Sequence, residues 1–142
     1  MKRTLFTTAQ DTEAAFYEAL EKADIEAMMA VWADDDDIVC VHPGGMRLAG
    51  VEQVRESWRQ IFANGQTLRF RLRQLRTINT MTLAVHSVYE QIIIAGETQP
   101  RHPIAATNIY MRTEKGWRMI AHHASPAPAS PDGERTRKKI LH

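Results

Sequence analysis

The chain has 142 residues, 44% of them hydrophobic and 25% charged, and its 18 basic and 17 acidic side chains leave a formal charge of +1. That is the length of one domain with an apolar content sufficient to bury a core. The near balance of charge supplies no field that would draw nucleic acid or an anionic membrane to the whole molecule, and a single cysteine, Cys40, excludes an intrachain disulfide.

No stretch approaches the roughly 20 apolar residues of a membrane helix, and the first residues lack an apolar segment of signal-peptide length, so a cytoplasmic protein is expected. Thr7 or Thr8 is placed to cap a helix running to about Ala23, with Asp11 and Glu13 near its positive end and Ala9, Phe16, Leu20 and Ala23 on one stripe. Asp24 caps a second, short helix through Met28, Met29, Val31 and Trp32, which the run Asp34 to Asp37 stops. That run reads as a solvated loop and lacks the glycine and closing glutamate of a calcium loop. Ile38 to Val41 is a short β-branched strand, Pro43-Gly44-Gly45 a turn, and Met46 to Ala49 a returning partner. Gly50 precedes a third helix, Val51 to about Ala63, with Val54, Trp58, Ile61 and Phe62 on its apolar side and Asn64-Gly65 at its end.

From Thr67 the period changes from near 3.6 to 2. Leu68, Phe70 and Leu72 alternate with Arg69, Arg71 and Arg73, a strand with one wet face. The phase slips at Gln74-Leu75, which reads as a β-bulge that bends the strand and curls its sheet. Further strands follow at Leu83 to about Ile94, Ile104 to Arg112 and, after the turn Thr113 to Gly116, Trp117 to Ser125. Pro126, Pro128 and Pro131 break the pattern, and Arg135, Arg137, Lys138 and Lys139 give a basic end. Residues 1–126 are therefore expected to form one domain and residues 127–142 a mobile tail.

Helices followed by consecutive strands with short turns define an α+β layer fold with a meander sheet. Long bulged antiparallel strands curl, so helices laid on the concave side enclose a cone-shaped hollow.

Particular strings go further. Phe16, Leu20, Asp24 and Trp32, then Asp36-Asp37-Ile38-Val39-Cys40-Val41-His42-Pro43-Gly44, then Gly50 and Trp58, then Gly116-Trp117-Arg118-Met119-Ile120-Ala121-His122-His123-Ala124-Ser125-Pro126 resemble the SnoaL-like branch of the NTF2-like (ketosteroid isomerase-like) superfamily. The resemblance implies a cystatin-like cone and a homodimer through the outer sheet face. It leaves activity open, because the superfamily spans isomerases, dehydratases, cyclases, transport factors and non-catalytic association domains. Its isomerase-type members imply a simple scheme, in which a carboxylate or histidine moves a proton beside a carbonyl while a tyrosine or acid steadies the oxyanion.

The residues offer candidates for such work. His42 ends the first strand at the expected pocket mouth, where imidazole suits acid–base chemistry near neutral pH; the plainer reading is a turn histidine bonded to backbone. His122 and His123 are adjacent in a strand and must point to opposite faces. Trp117, Met119, Ala121 and His123 form the more apolar set, which turns His123 inward unless a bulge reverses the phase. Phe16, Trp32 and Trp58 are core residues by spacing or, in the second reading, pocket walls for a flat ligand. Tyr89, in phase with Leu83 and Val85, is expected to donate a hydrogen bond into the cavity, and Asn108 shares a face with Tyr110. A cavity lined by Trp32, His42, Trp58, Tyr89 and His123 follows. No acidic residue finds a clear place in the cone, since Glu90 is out of phase with Tyr89.

Three histidines without helical ligand spacing imply no metal, and nothing calls for a cofactor. Cys40 is expected as a small buried group. The row Arg69, Arg71, Arg73 and Arg76 lacks the interleaved aromatics of a nucleic-acid reader and is expected to be a wet face or a subunit contact. The expected activity is an isomerase or dehydratase using histidine acid–base chemistry on a small-molecule ligand. The competing expectation is a non-catalytic association or ligand-sensing module.

Overall fold

In the computed structural model, which describes residues 5–65 and 67–128, three helices precede four long strands. Helix α1 (Ala9–Lys22) starts where Thr8 turns to extended backbone and its hydroxyl accepts the Asp11 amide at 3.0 Å, and it stops at Ala23 in the left-handed region. The Asp24 carboxylate accepts the Ala27 amide and so starts α2 (Ile25–Val31) one residue later. Strands β1 (Val39–Val41) and β2 (Leu48–Ala49) lead into α3 (Val51–Phe62), whose Val54 and Trp58 are buried one helical turn apart. The Asp34 to Asp37 run is an exposed loop.

Strands β3 (Leu68–Asn79), β4 (Leu83–Ile94), β5 (Ile104–Thr113) and β6 (Gly116–Pro126) form a meander. The sheet order is β2-β1-β6-β5-β4-β3, antiparallel except where β1 lies parallel to β6. The expected break in β3 is present: the register with β4 shifts between Arg73 and Arg76, and Gln74 takes φ 52°. A second shift was not foreseen. Ile109 pairs with Ala121 but Tyr110 with Met119, so Ile120 is the extra residue of β6. Pro126, expected to end the sheet, instead pairs with Ile104, as the last residue of a strand can.

The two bulges curl the sheet into a cone around α1, and the main core lies between them, with Phe16, Met28, Trp32, Val54 and Met119 essentially inaccessible. Gly116 fixes the chain entry. Its φ is 91°, and a Cβ there would lie 2.7 Å from the Phe6 carbonyl oxygen, which accepts the Trp117 amide at 2.8 Å. No helix among the described residues is long and apolar enough to cross a membrane. From residue 129 onward the expected tail lies outside the described residues.

Candidate functional site in the cone

Helix geometry puts Glu13, Phe16 and Tyr17 on one face of α1, and all three are buried against the sheet. Strand geometry supplies the opposite wall. On the concave face Ala84, His86, Val88 and Glu90 alternate along β4, and register places His86, Asn108 and His122 directly across from one another on β4, β5 and β6. The next row out is Val88, Ala106 and Ala124, a small apolar cluster joined by Leu72 and Ile104. Glu90 stands one row beyond, opposite Ile104.

Four of these side chains form one directed relay. His122 Nδ1 lies 2.6 Å from Asn108 Oδ1, an atom that only accepts, so Nδ1 carries the proton. The Asn108 amide nitrogen donates to the Tyr17 hydroxyl at 2.9 Å, and that hydroxyl donates to Glu90 Oε2 at 2.6 Å. Every donor thus points toward the carboxylate. Glu90 is only 4% exposed. Burial pushes its carboxyl up from the ordinary 4.5 to about 7, against the smaller downward pull of the Tyr17 hydrogen bond. Burial and then the neighbouring Glu90 raise the Tyr17 hydroxyl well above its usual value, so it stays a donor. At the other end burial, and after it His42 and His123, lower His122 from 6.5 to about 3, which keeps its ring neutral.

A second cluster lies one helical turn back along α1. His86 Nδ1 donates to Glu13 Oε2 at 2.8 Å, both side chains buried, and the His86 ring stands edge to face with Tyr110 at 5.0 Å. His86 Nε2 and the Tyr110 hydroxyl are buried with no hydrogen-bond partner among the described residues, as are the indole nitrogens of Trp32 and Trp58. Each such group carries a desolvation cost of about 1–3 kcal/mol.

The third group is at the rim. The Ser57 hydroxyl donates to the Val54 carbonyl oxygen at 2.8 Å, and so accepts from His42 Nε2 at 3.0 Å. Burial lowers the half-buried His42 below its ordinary value. Its ring meets Trp58 edge-on at 4.6 Å, and Trp58 in turn lies 6.0 Å from His122 and 5.7 Å from Phe16. Burial pushes the adjacent Cys40 thiol up to about 12, leaving no thiolate near neutral pH.

The expected pocket residues therefore divide. Phe16, Trp58, Asn108, His42 and His122 come together, and Trp32 is buried in the main core with its backbone bridged to Met119. His123 and Tyr89 need correction. The Ile120 bulge inverts the phase of β6, so Met119 and His122 both face inward and His123 is exposed. Tyr89 lies on the outer face, and Glu90, set aside by sequence phase, is the residue inside. The expected five-residue lining is therefore not a single wall. Two surface clefts, of about 300 Å³ beside Asp34 and Lys115 and about 280 Å³ between α1 and α2, contain none of those five residues. Glu13, Tyr17, His86 and Glu90 escaped sequence reasoning. The usable signal was Glu13-Phe16-Tyr17-Leu20 at positions i, i+3, i+4 and i+7, a carboxylate within an apolar stripe.

With this geometry in view, the chain belongs to the SnoaL-like domain family, which matches residues 10–130. It is a member of the SnoaL-like branch of the NTF2-like superfamily, with the cystatin-like fold. A solved structure from Thiobacillus denitrificans, provisionally named a calcium/calmodulin-dependent protein kinase type II association domain, is 40% identical with a TM-score of 0.83, covering 87% of this chain and 98% of its own. A protein from Streptomyces avermitilis, provisionally named a dehydratase of the NTF2-like family, is 33% identical with a TM-score of 0.73, covering 82% of this chain and 91% of its own. The F-box protein SKIP8 of Arabidopsis thaliana is 24% identical over 110 residues, 78% of this chain; the match spans 46% of that protein's length.

Proposed function

We propose that this domain binds a small carbonyl-containing molecule in the cone and transfers a proton within it, as an isomerase or a dehydratase does. The observation that carries the reading is Glu90, a buried carboxyl brought to about 7 and hydrogen-bonded by Tyr17. A general base works best with a pKa near the working pH, where its basic form is populated and its proton is still readily returned. In this reading Glu90 takes the proton from the carbon beside the carbonyl. Its hold on the Tyr17 hydroxyl then weakens, and Tyr17, supported by the Asn108 amide, donates to the developing oxyanion. Glu90 returns the proton to another carbon in an isomerisation, or to a departing hydroxyl in a dehydration. His122 stays neutral and positions Asn108, so the carboxylate replaces histidine as the proton carrier. His42 and Trp58 contact the ligand at the rim. The provisionally named dehydratase at 33% identity supports this class.

The test is turnover of a panel of unsaturated ketones and β-hydroxy ketones by the wild type, Glu90→Gln and Tyr17→Phe. Loss of the base is expected to lower turnover by about 10²- to 10⁴-fold. A wild type that turns over the panel with Glu90→Gln equally fast contradicts the assignment.

The 40% identical neighbour, provisionally named an association domain, favours a second reading. There the interior serves stability, and the outer sheet face assembles copies of the chain without catalysis.

A further inference from the structure

The relay leaves a second polar cluster unused, one helical turn back along α1. His86 sits in the row with Asn108 and His122, and Tyr110 is one row further in, opposite Ala84 and Met119. His86 spends Nδ1 on Glu13, yet Nε2 has no partner among the described residues, and the Tyr110 hydroxyl, though Asn108 acts on it from nearby, makes no well-formed hydrogen bond there either. Both residues are 0% exposed, and their rings are neighbours at 5.0 Å. Two buried polar groups on neighbouring rings, each short of a hydrogen-bond partner, are the setting in which proteins retain an internal water, which needs two or more polar partners.

We propose that His86 Nε2 and the Tyr110 hydroxyl form a binding site for one internal water molecule, with Glu13 fixing the His86 ring toward it. Water suits the pair because it both donates and accepts, and so satisfies Nε2 in either protonation form and the hydroxyl in either orientation. A cation does not suit it, since the described residues hold no group of three or more histidine, cysteine or carboxylate side chains that could ligate one. The water extends the polar interior toward a second carboxylate. Burial, and after it the charges of Glu13 and Glu90, raise the Tyr110 hydroxyl well above its usual value against a smaller downward pull from the Asn108 side chain, so it stays a donor. This site stands whether or not the domain is catalytic.

A high-resolution crystal structure of the wild-type chain tests it. One ordered solvent peak is expected within hydrogen-bond distance of both His86 Nε2 and Tyr110 Oη, and it is expected to vanish in Tyr110→Phe while the Glu13–His86 bond remains. A direct histidine–tyrosine hydrogen bond, or a dry contact between the two atoms, overturns the proposal. The wild-type map alone decides it if Tyr110→Phe does not fold.

Discussion

Glu90 and His122 sit at opposite ends of one relay and titrate in opposite senses. The folded Glu90 holds its proton to about pH 7 against an ordinary 4.5, so the native state binds more protons than the unfolded chain in that window. Its contribution is therefore full below pH 4.5 and lost as pH rises toward 7. His122, lowered from 6.5 to about 3, binds fewer protons when folded, so its contribution is present above 6.5 and lost as pH falls toward 3. Between pH 4.5 and 6.5 the two slopes oppose each other. Replacing Glu90 with Gln keeps an acceptor for Tyr17 and removes one of them. The stability of Glu90→Gln relative to wild type is expected to rise by about 3 kcal/mol between pH 4.5 and pH 7, at roughly 1.4 kcal/mol per pKa unit, and then to level off. Urea midpoints of both proteins across that range measure it. Parallel curves would mean that Glu90 titrates like a solvated carboxyl.

At the scale of elements, α1 is pinned to the sheet by three buried side-chain bonds at two positions four residues apart, Glu13 to His86, and Tyr17 to Glu90 and Asn108. Removing the acceptor of a buried hydrogen bond strands its donor, at a cost of about 1–3 kcal/mol. Glu13→Ala is expected to lose that much in denaturant unfolding. Removing the surface partner Lys22, which reaches Glu18 in water, is expected to leave the midpoint unchanged. A small effect of Glu13→Ala would show that the pin does not hold the helix. The elements themselves were legible in the sequence, because caps at Thr8 and Asp24 and the slip at Gln74 are local signals. The inward face of β3 was legible too, with Leu68, Phe70 and Leu72 half-buried against exposed Arg69, Arg71 and Arg73, but the inward faces of β4 and β6 were not. β4 carries Leu83, Val85, Tyr89 and Ile93 outside against Ala84, His86, Val88 and Glu90 inside, so hydrophobicity alone selects the wrong face. The Ile120 bulge leaves no glycine or charge change to announce it, and it exchanges His122 for His123. Half of the candidate site was therefore unreadable until cross-strand register was known.

At the scale of the molecule, that apolar outer face bears on assembly. Ile78 is 70% exposed and Ile93 43%, on the face that also carries the row Arg69, Arg71 and Arg73. Ile78 stands opposite Val85 and near Leu83, which is 39% exposed, and exposed apolar side chains grouped in this way mark interfaces. A homodimer through this face is the proposal, and sedimentation of the wild type is expected to give a dimer that Ile93→Lys shifts to monomer. A monomeric wild type at micromolar concentration contradicts it. Dimer formation serves the catalytic and the association readings alike, so it does not choose between them.

The choice rests on the state of one carboxyl inside the cone. Carbon-13 NMR of the labelled Glu90 carboxyl, followed from pH 3 to pH 9 and assigned by its loss in Glu90→Gln, reads that state directly. A midpoint near 7 is expected. A midpoint at the ordinary glutamate value near 4.5 would mean that the group is solvated, and the proton-transfer site in the cone would not exist.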